Sequence, residues 1–272
     1  MDTSTAIAFI GGGNMASALI GGLRASGHAA SDLIVIEPSA EQRERLARQY
    51  AVQALAAAGP ELARAGTVVW AVKPQLFKAA AEPCRAHLPP ALHLSVMAGI
   101  RSDAIVAATG SVRVVRAMPN TPALIGQGIS GLYARPEVSA GEREAVAQLM
   151  APTGRTVWVA QEAELDAVTA LSGSGPAYVF YFIEAMIEAA QAMGLSADQG
   201  RELALATFAG ATELARRSDE PPEVLRERVT SKGGTTYAAL TSMEAAQVKH
   251  AFIQAIQAAR QRAQELGDEF GR

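Results

Sequence analysis

Cysteine is nearly absent: Cys84 is the only one in 272 residues. It has no partner for an internal disulfide, and no CxxC or paired-histidine spacing links His28, His87, His93 and His250. A disulfide scaffold and a structural zinc site are thereby excluded, no metal ligand is assigned, and a reducing cytoplasm is the expected compartment. An excess of one charge is lacking as well. Lys plus Arg number 24 against 27 Asp plus Glu, a formal net charge of −3 spread without blocks. That leaves no basic field for nucleic acid or for anionic lipid. The longest uncharged run, Thr3 to Leu23, is broken by Gly11 to Gly13, Asn14, Gly21 and Gly22, with no basic cluster before it. Neither a membrane span nor a signal peptide is expected. GxSxG, HExxH and GxxxxGK patterns are missing too, which removes support for hydrolase, zincin and P-loop chemistry.

What is present describes a globular chain with room for two domains at roughly 150 residues each. Hydrophobic residues make up 49% and charged residues 19%, and the 24 Gly and 13 Pro follow no fixed period. Short β-rich runs fill the first half: Thr5 to Ile10, Leu33 to Glu37, Thr67 to Val72, a run beginning near His93, and Val112 to Met118. They are apolar on both faces and separated by helix-length spacers, the pattern of βαβ crossovers under helices on both sides. Two later runs, Ile129 to Ala134 and Thr156 to Ala160, flank a helix over 139–150 and extend the sheet at its edge.

After about Glu164 the composition turns to Ala, Glu, Gln, Leu and Arg, and helix replaces strand. The chain is thus α/β. A Rossmann-type doubly wound parallel sheet over residues 1–163 is expected to precede an all-α dimerisation domain over 164–272. Val179, Phe182, Ile183, Met186, Ile187 and Ala190 mark one face of a core helix, and Glu184, Glu188 and Gln191 leave only a narrow polar stripe. With Tyr178 and Phe180 added, about a hundred residues of helix are too few to bury this surface, so a homodimer made by this half is expected.

Gly11-x-Gly13-x-x-Ala16 follows the first strand and opens a helix that ends near Ser26 and Gly27. The first glycine permits the tight turn, the second lets a pyrophosphate approach, and the small third residue lets helix pack on strand. The same pattern also fits a ligand-free turn; the strand, helix and second strand around it favour a dinucleotide. Glu37 ends the second strand, where an acid accepts ribose hydroxyls and favours NADH. Ser39 and Arg43 offer a phosphate two partners, so NADPH and NADH both stay open. Lys73-Pro74, Ala98-Gly99 and Met118 to Pro122 lie just beyond strand ends, on the edge where open parallel sheets bind ligands.

In the helical half, Thr230 to Thr236 reads TSKGGTT ahead of an apolar helix from Tyr237. Free N–H groups at a helix start, with hydroxyls around them, suit a carboxylate. A capped helix start after a glycine turn fits the spacing equally simply. LSGSGP over 171–176 is either a close-approach segment or a break between helices.

FIGGGNMASALIGGL, AVKPQ, RAMPNTPALIGQGISGLYA, ALSGSGPAY and VTSKGGTTYAAL occur in that order along nearly the whole chain. Together they resemble the pyrroline-5-carboxylate reductase family. The resemblance implies reduction of Δ1-pyrroline-5-carboxylate to L-proline with NADPH or NADH, the last step of proline biosynthesis. It implies that Gly11, Gly12, Gly13, Asn14, Met15 and Ala16 hold the pyrophosphate, with Glu37 and Ser39 near the adenosine ribose. Ala71, Val72, Lys73, Pro74, Ala98, Gly99 and Asn120 would line the nicotinamide side. Ser231, Gly233, Gly234, Thr235 and Thr236 would bind substrate, with Asp219 near the ring nitrogen and Thr236 as the catalytic hydroxyl. Two positions depart from the family pattern: Lys232 where proline is usual, and Ala58 where an asparagine often contacts the adenosine. A related imine or β-hydroxyacid reductase, and a dinucleotide-sensing dimer without turnover, are the alternatives.

Overall fold

The computed structural model describes residues 6–270; the expected starts of the uncharged run at Thr3 and of the first strand at Thr5 lie outside them. One sheet holds seven strands: β1 (Ala6–Ile10), β2 (Leu33–Ile36), β3 (Ala65–Trp70), β4 (Leu92–Ser95), β5 (Val114–Met118), β6 (Gly128–Ala134) and β7 (Gly154–Trp158). Their order is β2-β1-β3-β4-β5-β6-β7. β1 to β5 pair in parallel. β6 runs antiparallel to β5, and β7 parallel to β6. The sheet is therefore mostly rather than wholly parallel. The reversal follows from the β5–β6 link, whose only regular element is a 3-10 turn at Thr121–Ile125, too short for the helical crossover that a parallel pair needs.

Eleven α-helices lie among the described residues: α1 (Asn14–Ala25), α2 (Ala40–Tyr50), α3 (Phe77–Cys84), α4 (Ser102–Thr109), α5 (Ala140–Met150), α6 (Glu164–Val168), α7 (Gly175–Ala192), α8 (Ala197–Arg217), α9 (Pro222–Arg228), α10 (Thr235–Ala245) and α11 (Val248–Phe270). The chain folds as two compact units, Met1–Ser174 with Ala259–Arg272, and Gly175–Ala258.

In the first unit, alternate residues of each strand feed two separate cores, as the two-residue period of a strand requires. Phe9, Val69, Leu94 and Val115 join Leu19, Leu23, Leu46 and Leu149 from α1, α2 and α5. Ala8, Ile10, Val68 and Trp70 join Phe77 and Ile105 from α3 and α4 on the other face. Helices thus cover both faces and leave the strand ends as the accessible edge. α1 closes as the sequence suggests: Gly27 takes a φ of 95° and the His28 N–H donates to the Leu23 carbonyl.

Two polar residues are built into this interior for structural reasons. The Trp70 Nε1–H donates to Nδ1 of His93 at 2.9 Å, so the imidazole is neutral. Burial, and then the positive charge of Arg113, lower its pKa from the ordinary 6.5 to about 4.

In the second unit, α7 packs along α8, and Gly200 lies so close to it that a Cβ there would stand 2.8 Å from the Ala190 Cβ. Tyr178 and Phe182 meet Phe252 edge to face. The expected core face of α7 is only partly covered: Ala190 is buried, but Val179 and Met186 are exposed. Outside it, Phe180 is 59% and Tyr181 69% exposed. A helix this apolar that is not covered by its own chain marks an interaction surface. A groove of about 480 Å³ lined by Phe182, Leu240, Met243, Phe252 and Ile253 adds to it. Among the described residues no helix is long and apolar enough to cross a membrane, and no group of three or more His, Cys, Asp or Glu is placed to hold a metal.

Light scattering at micromolar concentration is expected to give at least twice the chain mass, and a monomer would contradict the reading of the α7 face. The folded state resists protonation of His93, so its contribution is complete above pH 6.5 and is lost as pH falls towards 4. Stability against urea should therefore fall by about 3 kcal/mol as pH is lowered across that window, and His93→Gln should remove this part of the slope.

Candidate active site

The turn between β1 and α1 is fixed by contacts that leave no room for side chains on one side and open space on the other. At Gly11, φ is 98° and a Cβ would stand 2.7 Å from the Ala71 carbonyl oxygen. A Cβ at Gly12 would meet Leu46 Cδ1 at 2.8 Å, whereas one at Gly13 would meet nothing within 4 Å. Gly13 is the N-cap of α1 and brings no side chain to the N–H groups of the first turn. Those groups need an outside acceptor, and an anion suits them. Beyond them Asn14 is exposed and accepts from Arg45 Nη2 at 3.3 Å, Met15 is half-buried, and Ala16 is buried in the core.

Glu37 sits directly after β2 and binds both sides of this edge. Its Oε2 accepts the Gly12 N–H at 2.8 Å, and its Oε1 accepts the Ser39 N–H at 2.8 Å. Ser39 caps α2 by accepting from the Gln42 N–H. The side chain of Gln42 donates to the Gly12 carbonyl, and Arg43 Nη1 donates to the carbonyls of Glu37 and Pro38. Glu37 thus braces the glycine turn, a use that the sequence alone does not disclose.

The remaining strand ends of the same unit complete the edge. Ala71 and Val72 follow β3 and wall Gly11; Lys73 and Pro74 begin a 3-10 turn, and Lys73 is exposed. Ala98 and Gly99 lie in the loop after β4, both half-buried, with Gly99 at a φ of 74°. Asn120 follows β5, and its Oδ1 accepts the Ile129 N–H at 3.0 Å, pinning the start of β6. All of these follow strands that run the same way. Ala58 is half-buried against the core and offers no polar group.

The second unit carries the other group of residues. The Gly234 N–H donates to the Ser231 carbonyl at 3.0 Å, closing a turn with Gly233 at a φ of 77°. Positive φ at the third position is what a type II turn requires, and proline is common at its second position, where Lys232 stands. Lysine fits that place without the preset φ that proline would bring. α10 begins at Thr235, earlier than the sequence suggests, so Thr235 and Thr236 are its first two residues. Gly234 is its N-cap and provides no side-chain hydrogen bond. A Cβ at Gly234 would stand 2.6 Å from Ser231 Oγ, so the lack of a side chain there leaves room for the serine hydroxyl to lie against the turn. Thr236 is half-buried; Asp219 is exposed, ahead of α9. α10 therefore starts as α1 does, on a glycine without a side-chain cap, whereas α2, α5 and α8 start on capping serines.

Comparison with known proteins decides the family. Residues 162–266 match the model described as pyrroline-5-carboxylate reductase dimerisation, and residues 6–99 match one described as NADP oxidoreductase coenzyme F420-dependent. The pyrroline-5-carboxylate reductase of Pseudomonas aeruginosa is 45% identical over 267 residues, covering 97% of this chain and 98% of its own. That of Haemophilus influenzae is 41% identical, covering 96% and 97%. The chain belongs to the pyrroline-5-carboxylate reductase family. Among solved structures, the pyrroline-5-carboxylate reductase of Coxiella burnetii superposes with a TM-score of 0.90 at 34% identity, covering 97% and 99%. The pyrroline carboxylate reductase of Plasmodium falciparum, solved with NADP bound, gives 0.85 at 29% identity, covering 97% and 98%. The family's amino-terminal nucleotide-binding domain and helical dimerisation domain are both present.

A nicotinamide dinucleotide fits the residues at the first edge on structural grounds: the open space at Gly13 admits a pyrophosphate, and the uncapped start of α1 provides donors for it. Gly13→Ala tests this directly. With a φ of −64° and no neighbour to strike, the alanine should lower thermal stability only slightly, by the small preference for glycine over alanine at an N-cap. Nucleotide affinity by calorimetry should fall at least about tenfold, because a methyl group then stands where the pyrophosphate approaches. Unchanged affinity would remove Gly13 from the site.

Proposed function

We propose that this chain reduces Δ1-pyrroline-5-carboxylate to L-proline with NADPH or NADH, as the last step of proline biosynthesis. The observation that carries this reading is the pair of helices begun by uncapped glycines. One, after Gly13, suits a pyrophosphate, and the other, after Gly234, suits a small carboxylate. Residues 1–163 are assigned the nucleotide and 164–272 the substrate and self-association. Gly11 to Ala16 would hold the pyrophosphate, Glu37 and Ser39 the adenosine ribose, and Ala71 to Pro74, Ala98, Gly99 and Asn120 the nicotinamide side.

The reaction adds a hydride to the imine carbon of a five-membered ring while the ring nitrogen becomes an amine. A reduced nicotinamide nucleotide supplies the hydride when bound. The protein's part is to bind, orient and manage the proton. N–H groups at the start of α10, with the Ser231 hydroxyl, would fix the substrate carboxylate and so set the position of the ring. The Thr236 hydroxyl would hydrogen-bond the ring nitrogen and relay a proton to it from water, and Asp219 would keep that side of the ring negatively charged. No strong acid is needed, because a protonated imine is already electrophilic.

Following the oxidation of NADPH and of NADH by absorbance, with pyrroline-5-carboxylate present and absent, tests the assignment. Oxidation only with the imine is expected, and none with either nucleotide would refute it. Thr236→Ala should lower kcat by about tenfold or more with the substrate KM less affected, the scale of a lost positioned proton donor. Unchanged kinetics would remove Thr236 from the chemistry.

A further inference from the structure

Arg116 is a charged residue inside β5 and only 5% exposed. Its Nη1 pairs with Glu162 Oε1 at 2.8 Å, and Glu162 comes from the loop between β7 and α6. The other contacts of this carboxylate are all to one residue. Oε1 accepts the Ser102 N–H and Oε2 the Ser102 hydroxyl, each at 2.6 Å. Ser102 is the first residue of α4, whose N-cap, Arg101, supplies no side-chain bond. A residue sixty positions later in the chain therefore performs the capping that α2, α5 and α8 obtain from their own serines. Burial would raise the pKa of Glu162, but the bonds from Ser102 and the charge of Arg116 hold it below the ordinary carboxylate range, so it is ionised.

The segment that ends at Ser102 is the loop carrying Ala98 and Gly99. Its outer side is pressed by the last turns of α11. A Cβ at Gly99 would stand 3.2 Å from the Leu266 carbonyl oxygen, and one at Gly267 would stand 2.7 Å from Arg101 Nη2. Arg101 pairs with Asp268 at 3.3 Å and lies 4.0 Å from the buried Asp166. The loop is thus held at its exit by Glu162 and along its side by α11.

We infer that Glu162, anchored on Arg116, is a positioning residue that sets the Ala98–Gly99 loop for the nicotinamide end of the nucleotide. This rests on the assignment of that loop under the proposed function. The glycine turn and Glu37, at the adenosine end, do not depend on it. Glu162 acts through Ser102 and touches neither nucleotide nor substrate.

The test compares the affinities of NADH and ADP-ribose, which lacks the nicotinamide, by calorimetry on the full chain. Glu162→Gln should weaken NADH about tenfold or more, the scale of a misplaced contact loop. ADP-ribose should change less than about twofold. Ser102→Ala, which leaves the Arg116–Glu162 pair intact, should shift the same ratio in the same direction if loss of the buried charge prevents the first variant from folding. Glu142→Gln, which breaks a pair with Arg113 ahead of β5, is the control and should move neither affinity. Equal loss of both ligands in the Glu162 and Ser102 variants, or no loss of either, would overturn the inference. A wild-type protein that binds ADP-ribose but gains nothing from the nicotinamide would instead overturn the assignment of the loop, and the inference with it.

Discussion

The bond from the Gly12 N–H to the Glu37 carboxylate is the constraint on which the nucleotide edge depends. Gly11 adopts a φ of 98° against the Ala71 carbonyl, Gly12 is packed on Leu46, and Glu37 ties the turn to the start of α2 through the Ser39 N–H. Only Gly13 is left open, at the start of α1. A turn fixed on three sides and vacant on the fourth is preorganised, so little ordering remains to offset the gain from an incoming pyrophosphate. The acid that would meet a ribose is also the acid that shapes the turn, so its substitution would alter both.

The same device recurs in the second unit in a smaller form. Gly233 supplies positive φ, Gly234 opens α10 without a cap, and the Ser231 hydroxyl lies against the turn. A helix start without a side-chain cap leaves its N–H groups for an external partner, and one carboxylate satisfies them. In both places a small residue, not a charged one, stands at the uncapped helix start. This agrees with a chain whose charges are few and evenly spread. Most of the ion pairs among the described residues are exposed, such as Glu213 with Arg216 and Arg217, and such pairs contribute little to stability. The Arg116–Glu162 pair is different: both groups are largely withdrawn from water, and removing one partner would cost about 3–5 kcal/mol.

Much of this was legible in the residues themselves. Strands apolar on both faces announced a covered, largely parallel sheet, and the order of strand, glycine turn and helix around Gly11 to Ala16 was legible as well. The reversal of β6 was not legible, because direction depends on the length of a link rather than on the pattern of the strand. The face of α7 is apolar at a 3.6-residue period, and the exposure of Val179 and Met186 agrees with the expectation that a second copy rather than its own chain covers it. Glu37 could be placed at its strand end, but its bond to Gly12 joins positions 25 residues apart. The bond of Glu162 to Ser102 joins residues 60 apart, and the one signal in the sequence was a lone arginine inside the apolar run of β5.

The central claim is that a reduced nicotinamide nucleotide delivers its hydride directly to the imine carbon of pyrroline-5-carboxylate. Reaction with NADH carrying deuterium at the transferable C4 position, followed by mass spectrometry and NMR of the product, tests it most directly. The account predicts proline with one deuterium on the ring carbon across the nitrogen from the carboxylate-bearing carbon. Proline formed without deuterium from both the 4R- and the 4S-deuterated NADH would contradict it.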